Sequence, residues 1–326
     1  MIQESMLPQK FPPYPELDNI DLCAYIKPAK MVSGDFYDFF VLNDRFLCFT
    51  IGDVTDKGIP AALFMVRSKA LLQNTATLLH SLSPSSPPSP GQVLSYVNTE
   101  LCKENELVMF VTVLFGVFDI QTGELLLSNA GHIPPFLISD TSVTSLKIEP
   151  ERALGVRPDI IYKENSVQLK PNTSLLFYTD GLTDARNKKG EEYGQVRVDE
   201  TIQSLKKAKA HHVLLNALYP LSDFVLDTPP FDDITLLSLS YCPNKSHLLA
   251  KIKSKKDKVP HVHKNIERFA LKHNLNEATT SIIKSVTEEV LNNIISHGSQ
   301  DEKEDIFILF DINTPYVVLE FIDSSP

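Results

Sequence analysis

Four segments share one feature, an aspartate at a polar turn beside a strand-like run: MVSGDFYD (Asp35, Asp38), FTIGDVTDKG (Asp53, Asp56), LLFYTDGLTD (Asp180, Asp184) and PPFDDIT (Asp232, Asp233). Strand ends hold side chains rigidly, and turns expose them. Carboxylates gathered from several strand ends repel, and each raises its neighbours' pKa unless a cation neutralises them. Oxygen-rich carboxylate sites suit magnesium and manganese. Two such ions side by side can activate water and hold a phosphate at once. Taken alone, each segment reads more readily as a turn or cap. Four together, two of them preceded by strongly apolar β runs, point to a site.

The elements that carry these residues follow from hydrophobic period and turn chemistry. DLCAYIKPA, DFYDFFVL and DRFLCFTIGDV are strand-like, with Asn43–Asp44 a hairpin turn. Residues 59–79 are apolar, rich in helix formers and start with a proline in the first turn, which predicts a helix. The Pro/Ser-rich HSLSPSSPPSPG, residues 80–91, predicts a flexible loop, with a second helix at about 91–104. Strands resume in LVMFVTVLFGVFDI, ELLLSNAGH, PPFLI and NTSLLFYTDG, with a turn at Gln121–Gly123. Residues 199–225 are helical in pattern, and DDITLLSLSY is a closing strand. This order predicts an α+β class, two sheets sandwiched between helices.

Composition turns basic and polar over residues 241–258, which places a domain boundary near 243. Beyond it lie a short strand, helices at about 260–273 and 276–297, and the strands EDIFILFDI and YVVLEFID joined at Asn313–Thr314–Pro315. This second unit is short and reads as incomplete. At the other end, IQESML sets Ile2, Met6 and Leu7 at helical spacing before Pro8. It is the stub of a linker helix or a simple cap helix.

The 326 residues favour two domains, and 43% hydrophobic with 22% charged residues is the balance of a soluble globular protein. A formal charge of -10 disfavours nucleic acid and anionic membrane as partners. Cys23, Cys48, Cys102 and Cys242 show no CxxC spacing and read as reduced core residues of a cytoplasmic protein. None sits in a Cys-x5-Arg loop, so a thiolate phosphatase lacks its parts. No run is apolar over a membrane-spanning length, and no signal-peptide core is present.

VSGDFYD, GDVTDKGIPAAL, NAGHIPP, LLFYTDGLTDARN and FDDITLL, in that order, resemble the motifs of PPM-type metal-dependent phosphatases, in particular the SpoIIE/RsbU-like branch. The resemblance implies a PPM-type β-sandwich flanked by helices and a site with two Mn2+ or Mg2+ ions. It implies that Asp53 bridges the ions, that the Val54 carbonyl adds a ligand, and that Asp180 and Asp232 bind metal. Asp233 is a further metal candidate, and Asp35 binds metal or holds a metal-bound water. Asp38, Asp56 and Asp184 are supporting or third-metal candidates. His132 is a general acid or loop anchor by resemblance, and a turn histidine bonded to backbone by residue type. Arg67 is functional or a solvated helix charge. Gly58 and Pro60 start a helix directly after the ligand turn, and in this family that helix is thought to move on activation.

EEVLNNIISHG places Glu289, Asn293 and His297 four residues apart, hence on one helix face. That is an amphipathic stripe by pattern. It also resembles the N-box of GHKL-type ATP-binding domains, chiefly the anti-sigma (RsbW-like) serine kinases, where the Asn holds magnesium and the Glu activates water or an acceptor hydroxyl. The likeness stops at FIDSSP, where Ser325 stands at an expected glycine. That argues against ATP binding, the domain being either truncated or vestigial.

The resulting expectation is a linker stub over 1–10, a phosphatase domain over 11–243, and a partial GHKL-type α/β sandwich over 244–326. The expected activity is metal-dependent hydrolysis of phosphoserine or phosphothreonine on a STAS-type anti-anti-sigma protein in partner-switching signalling, with catalytic Asp35, Asp53, Asp180 and Asp232. A homodimer through the N-terminal helix accompanies it. The alternative is a partner-switching binding module or a serine kinase acting through the C-terminal segment.

Overall fold

The computed structural model describes residues 4–14, 16, 17, 19–205, 212–243, 247–297, 305–313 and 316–323. The chain divides into two units, one of residues 1–8 and 24–242, the other of residues 9–23 and 243–326. Among the described residues no helix is long and apolar enough to cross a membrane.

The first unit is a sandwich of two five-stranded sheets. One has the order β1 (Ile20–Lys27, of which Ala24–Lys27 belong to this unit), β10 (Ile234–Tyr241), β9 (Thr173–Tyr178), β6 (Phe136–Ile138), β7 (Val143–Ser145). The other runs β2 (Phe36–Leu42), β3 (Phe46–Val54), β4 (Val111–Asp119), β5 (Glu124–Ala130), β8 (Asn165–Gln168). In β3 every residue but Asp53 is buried, so the strand reads as one apolar run, as a strand covered on both faces must. The β2–β3 turn holds Asn43 at φ 49 and Asp44 at φ 53, the doubly left-handed geometry of a tight hairpin, which these two residue types tolerate. The sheets meet through Phe49 of β3 and Phe177 of β9, whose ring centroids stand 5.1 Å apart. Gly116 on β4 makes room for Phe49, since a Cβ there would lie 2.3 Å from its ring.

Helices cover both outer faces. α1 (Ile59–Leu82) and α2 (Pro90–Cys102) pack on the β2–β5 sheet, and α3 (Gly181–Asp184) and α5 (Val213–Val225) on β9 and β10, with α4 (Gly194–Ser204) between those two helices. α1 outruns its expected end and takes in His80–Leu82. The buried His80 ring packs edge-on against Phe46 at 5.6 Å, and its Nδ1 meets the Ser86 carbonyl at 3.1 Å. Tertiary burial thus shortens the expected 80–91 loop to residues 83–89. The helical pattern of 199–225 is divided between α4 and α5. Of the N-terminal stub, Glu4–Met6 is a single 3-10 turn, and Met1–Gln3, with Ile2, lies outside the described residues.

The second unit is an antiparallel sheet, β11 (His247–Lys253), β12 (Asp305–Asn313), β13 (Tyr316–Asp323), backed by α6 (Val259–Lys272) and α7 (Glu277–His297). Ala250, Ile266, Phe269, Leu291, Ile308 and Phe310 lie in its core. The 9–23 segment joins this unit. The Phe11 carbonyl accepts the Lys251 N–H at 3.3 Å, and Asp21 meets His247 Nε2 at 3.0 Å. Thr314, Pro315 and Ser325 lie outside the described residues.

Candidate metal-binding active site

The sandwich brings the four aspartate segments to matching strand ends. Asp35 immediately precedes β2, and Asp53 lies near the end of β3, its antiparallel neighbour, with Phe36 paired to Gly52. Asp180 follows β9 and Asp232 precedes β10, again antiparallel neighbours, with Leu236 paired to Tyr178. Each sheet therefore supplies two aspartates from one end of one strand pair.

These carboxylates feel one another's charge. Asp35 is 1% exposed, and burial, then the charge of Asp53, holds its carboxyl well above the usual range. Asp53 is pushed up to about 7 by burial and then by Asp180, with Asp232 and Asp233 adding to it. Asp180 is raised by burial, then by Asp232 and Asp184, while Lys57 opposes the shift. Carboxylates under this mutual repulsion are a donor set whose chemistry suits a divalent cation. The cage is not closed: among the described residues no three acidic, histidine or cysteine side chains are already gathered to hold an ion. Asp232 is engaged by two contacts. Asp232 Oδ1 is 2.7 Å from Lys57 Nζ and accepts the Asp233 N–H at 2.8 Å.

Asp233 is engaged by the loop before β2. It is 5% exposed, and its carboxylate accepts Ala29 N–H at 2.7 Å, Ser33 Oγ–H at 2.8 Å and Gly34 N–H at 2.8 Å. Ser33 Oγ in turn accepts the Asp35 N–H at 3.0 Å. The geometry gives Asp233 the work of fastening the Asp35 loop to β10. Val54 is buried at the end of β3. Asp56 is exposed with φ 66, and Asp184 is half-buried on α3.

Asp38 is paired with a cation of α1. It points from β2 to α1, where Lys69 Nζ meets it at 2.9 Å, and burial raises its pKa against that pairing. Arg67 is also a structural residue. Its Nη2 donates to the Glu100 carbonyl at 2.7 Å and the Lys103 carbonyl at 3.3 Å, closing the C-terminus of α2. His132 is 3% exposed and serves as an anchor. Asn129 clamps its backbone from both sides, and its Nδ1 meets Thr112 Oγ1 at 2.9 Å, on the residue paired with Asp53. Burial lowers its pKa to about 4, so it is neutral at pH 7 and does not offer an imidazolium proton there.

Thr179 was not singled out from the sequence. Its Oγ1 donates to Asp35 Oδ2 at 2.7 Å and accepts the Thr235 N–H at 3.0 Å, tying β10 to a residue of the other sheet. The one available signal was its place directly before Asp180–Gly181. Gly181 has a packing reason to be glycine, because a Cβ would stand 1.9 Å from the Asp233 carbonyl oxygen. In the second unit, Glu289 and Asn293 both lie exposed on α7.

Residues 43–241 match the family model described as Stage II sporulation protein E (SpoIIE). The chain belongs to this family. Protein IcfG of Synechocystis sp. is 31% identical over 257 residues, covering 73% of this chain and 40% of that protein. The phosphoserine phosphatase RsbU of Bacillus subtilis is 28% identical over 242 residues, covering 73% of this chain and 67% of RsbU. The chain thus spans well under half the length of the IcfG relative. Among solved structures, the RsbU and RsbW domains of a Mycobacterium tuberculosis protein superpose with TM-score 0.59 at 21% identity, over 90% of this chain and 84% of that one. The SiaA-PP2C domain of Pseudomonas aeruginosa gives TM-score 0.60 at 21% identity, over 74% of this chain and 93% of that domain. The fold is therefore the PP2C-like sandwich, with a C-terminal part also matched in the two-domain structure.

Proposed function

We propose that the chain is a Mn2+- or Mg2+-dependent protein phosphatase acting on phosphoserine or phosphothreonine. The observation that carries this reading is the set of repelling carboxylates, Asp35, Asp53 and Asp180, at facing ends of the two sheets. Asp53, Asp180 and Asp232 would hold two cations, with the Val54 carbonyl and Asp35 completing the donors. When bound, the cations supply charge neutralisation at the phosphoryl group and lower the pKa of a water molecule. The protein's own groups orient the site. Thr179 and Ser33 hold Asp35, Asp233 fastens its loop, and His132 braces the strand beside Asp53 through Thr112.

The proposed substrate is a phosphorylated STAS-type anti-anti-sigma protein in a partner-switching pathway, a reading supported by the likeness to RsbU. The assay is phosphate release from such a phosphoprotein with added manganese. Retention of full activity by Asp53→Ala would rule out the metal mechanism.

For residues 244–326 the alternative is a partner-switching binding module or an anti-sigma serine kinase of the GHKL type. It rests on Glu289 and Asn293, which lie exposed four residues apart on α7. Calorimetric titration with Mg-ATP decides between them, and a flat titration removes the kinase.

A further inference from the structure

The turn that follows Asp53 at the end of β3 carries a cation. Lys57 follows Asp53 by four residues and contacts both Phe231 and Asp232. Its Nζ stands 2.7 Å from Asp232 Oδ1, donates to the Phe231 carbonyl at 2.9 Å, and lies 5.1 Å from the centre of the Phe231 ring. The Arg186 guanidinium stacks on the same ring at 3.7 Å. Lys57 is 28% exposed and Asp232 26%, so the pair is partly screened from water. Asp56 at φ 66 and Gly58 at φ 90 flank Lys57. Asp180 also feels this ammonium.

We propose that Lys57 is a built-in counter-cation of the acidic site, which occupies Asp232 and competes with a divalent ion for it. The inference rests on the metal reading above. An ordinary surface ion pair contributes little and couples to nothing. This one joins the turn that carries one proposed ligand to the side chain of another. An ammonium can replace a metal's charge at a carboxylate, but it has only donors to offer and takes no oxygen ligand into a fixed coordination shell. Lys57 thus keeps the site electrostatically tolerable without making it active. A divalent ion that engages Asp232 must displace the lysine from that oxygen, so part of its binding energy goes into breaking the pair. Metal affinity is set weaker than the carboxylates alone would give.

The test is Mn2+ titration of the full chain by calorimetry, after chelation and buffer exchange, with thermal unfolding to show that each variant is folded. Lys57→Gln is expected to bind Mn2+ roughly three- to tenfold more tightly, about 0.7–1.4 kcal/mol. Lys57→Arg, which keeps the charge, is expected to stay near the wild-type affinity. A second readout needs no variant of the lysine. Acylation of Lys57, followed by mass spectrometry, should rise when Mn2+ is added to the wild type and be high from the outset in Asp232→Asn. Unchanged or weaker Mn2+ binding by Lys57→Gln, with binding still dependent on Asp53, overturns the proposal, as does Lys57 labelling that ignores Mn2+. A wild type that binds no Mn2+, or whose binding ignores Asp53→Asn, overturns the metal reading and this inference with it.

Discussion

Replacing Asp53 by asparagine removes one charge from the acidic centre while nearly preserving its shape. Burial and Asp180 raise this carboxyl from 3.8 to about 7 in the folded chain. A group whose folded pKa lies above its unfolded one contributes stability at low pH that is lost as pH rises through the folded value. The loss therefore builds from about pH 4 and is complete just above pH 7. A shift of about 3 units corresponds to a ceiling of about 4 kcal/mol. Side-chain relaxation and water entry bring the expected cost to about 2 kcal/mol. In chelator at pH 8, Asp53→Asn should thus be the more stable protein, with a melting temperature about 4–8 °C higher. At pH 5 the unfolded carboxyl is ionised by only a little over one unit, so the gain should shrink to roughly a third. Added manganese should raise the wild-type melting temperature and leave the variant nearly unmoved. The assay is thermal unfolding followed by circular dichroism across this pH range. A variant no more stable than wild type at pH 8, or a gain that persists unchanged at pH 4, would refute the view that repelling carboxylates define the site.

Three further outcomes follow from individual contacts. Thr179→Val removes the hydroxyl that serves both Asp35 and the Thr235 N–H; it should cost about 1–3 kcal/mol in denaturant unfolding and weaken Mn2+ binding in calorimetry. Gly181→Ala drives a methyl group against the Asp233 carbonyl; backbone displacement should cost about 2–3 kcal/mol and lower phosphate release, because the same segment carries Asp180. Lys69→Met leaves Asp38 buried without its cation, for a loss of about 3 kcal/mol at pH 8; since the Asp38 pKa is already raised, protonation should shrink that loss at pH 5, as urea unfolding at the two values will show.

Much of the fold and of the candidate site was legible in residue order. The apolar run of β3, the Asn43–Asp44 hairpin and the proline-led start of α1 are local signals, decided by backbone sterics and hydrophobic period. The aspartates were visible because each follows or precedes such a signal. The motif order then pointed to the family that residues 43–241 match. His80 was misplaced in a loop because its helical state depends on Phe46, far away in the chain. Glu289 and Asn293 were legible as a helix face, but their exposure is set by which side of α7 the sheet covers.

The sequence by itself determined which residues are chemically able to gather cations, and that strand ends and turns carry them. It could not assign those carboxylates their separate work. Asp35, Asp38, Asp232 and Asp233 are alike as residues. Yet one is held by Thr179, one by Lys69, one by Lys57, and one by the backbone of the loop before β2. Each of those partners lies many residues away along the chain or on the opposite sheet. A carboxylate's charge state and reach depend on what stands within a few ångströms of it and how much water remains. Only the packed sandwich decides that, because only there do distant strand ends become neighbours.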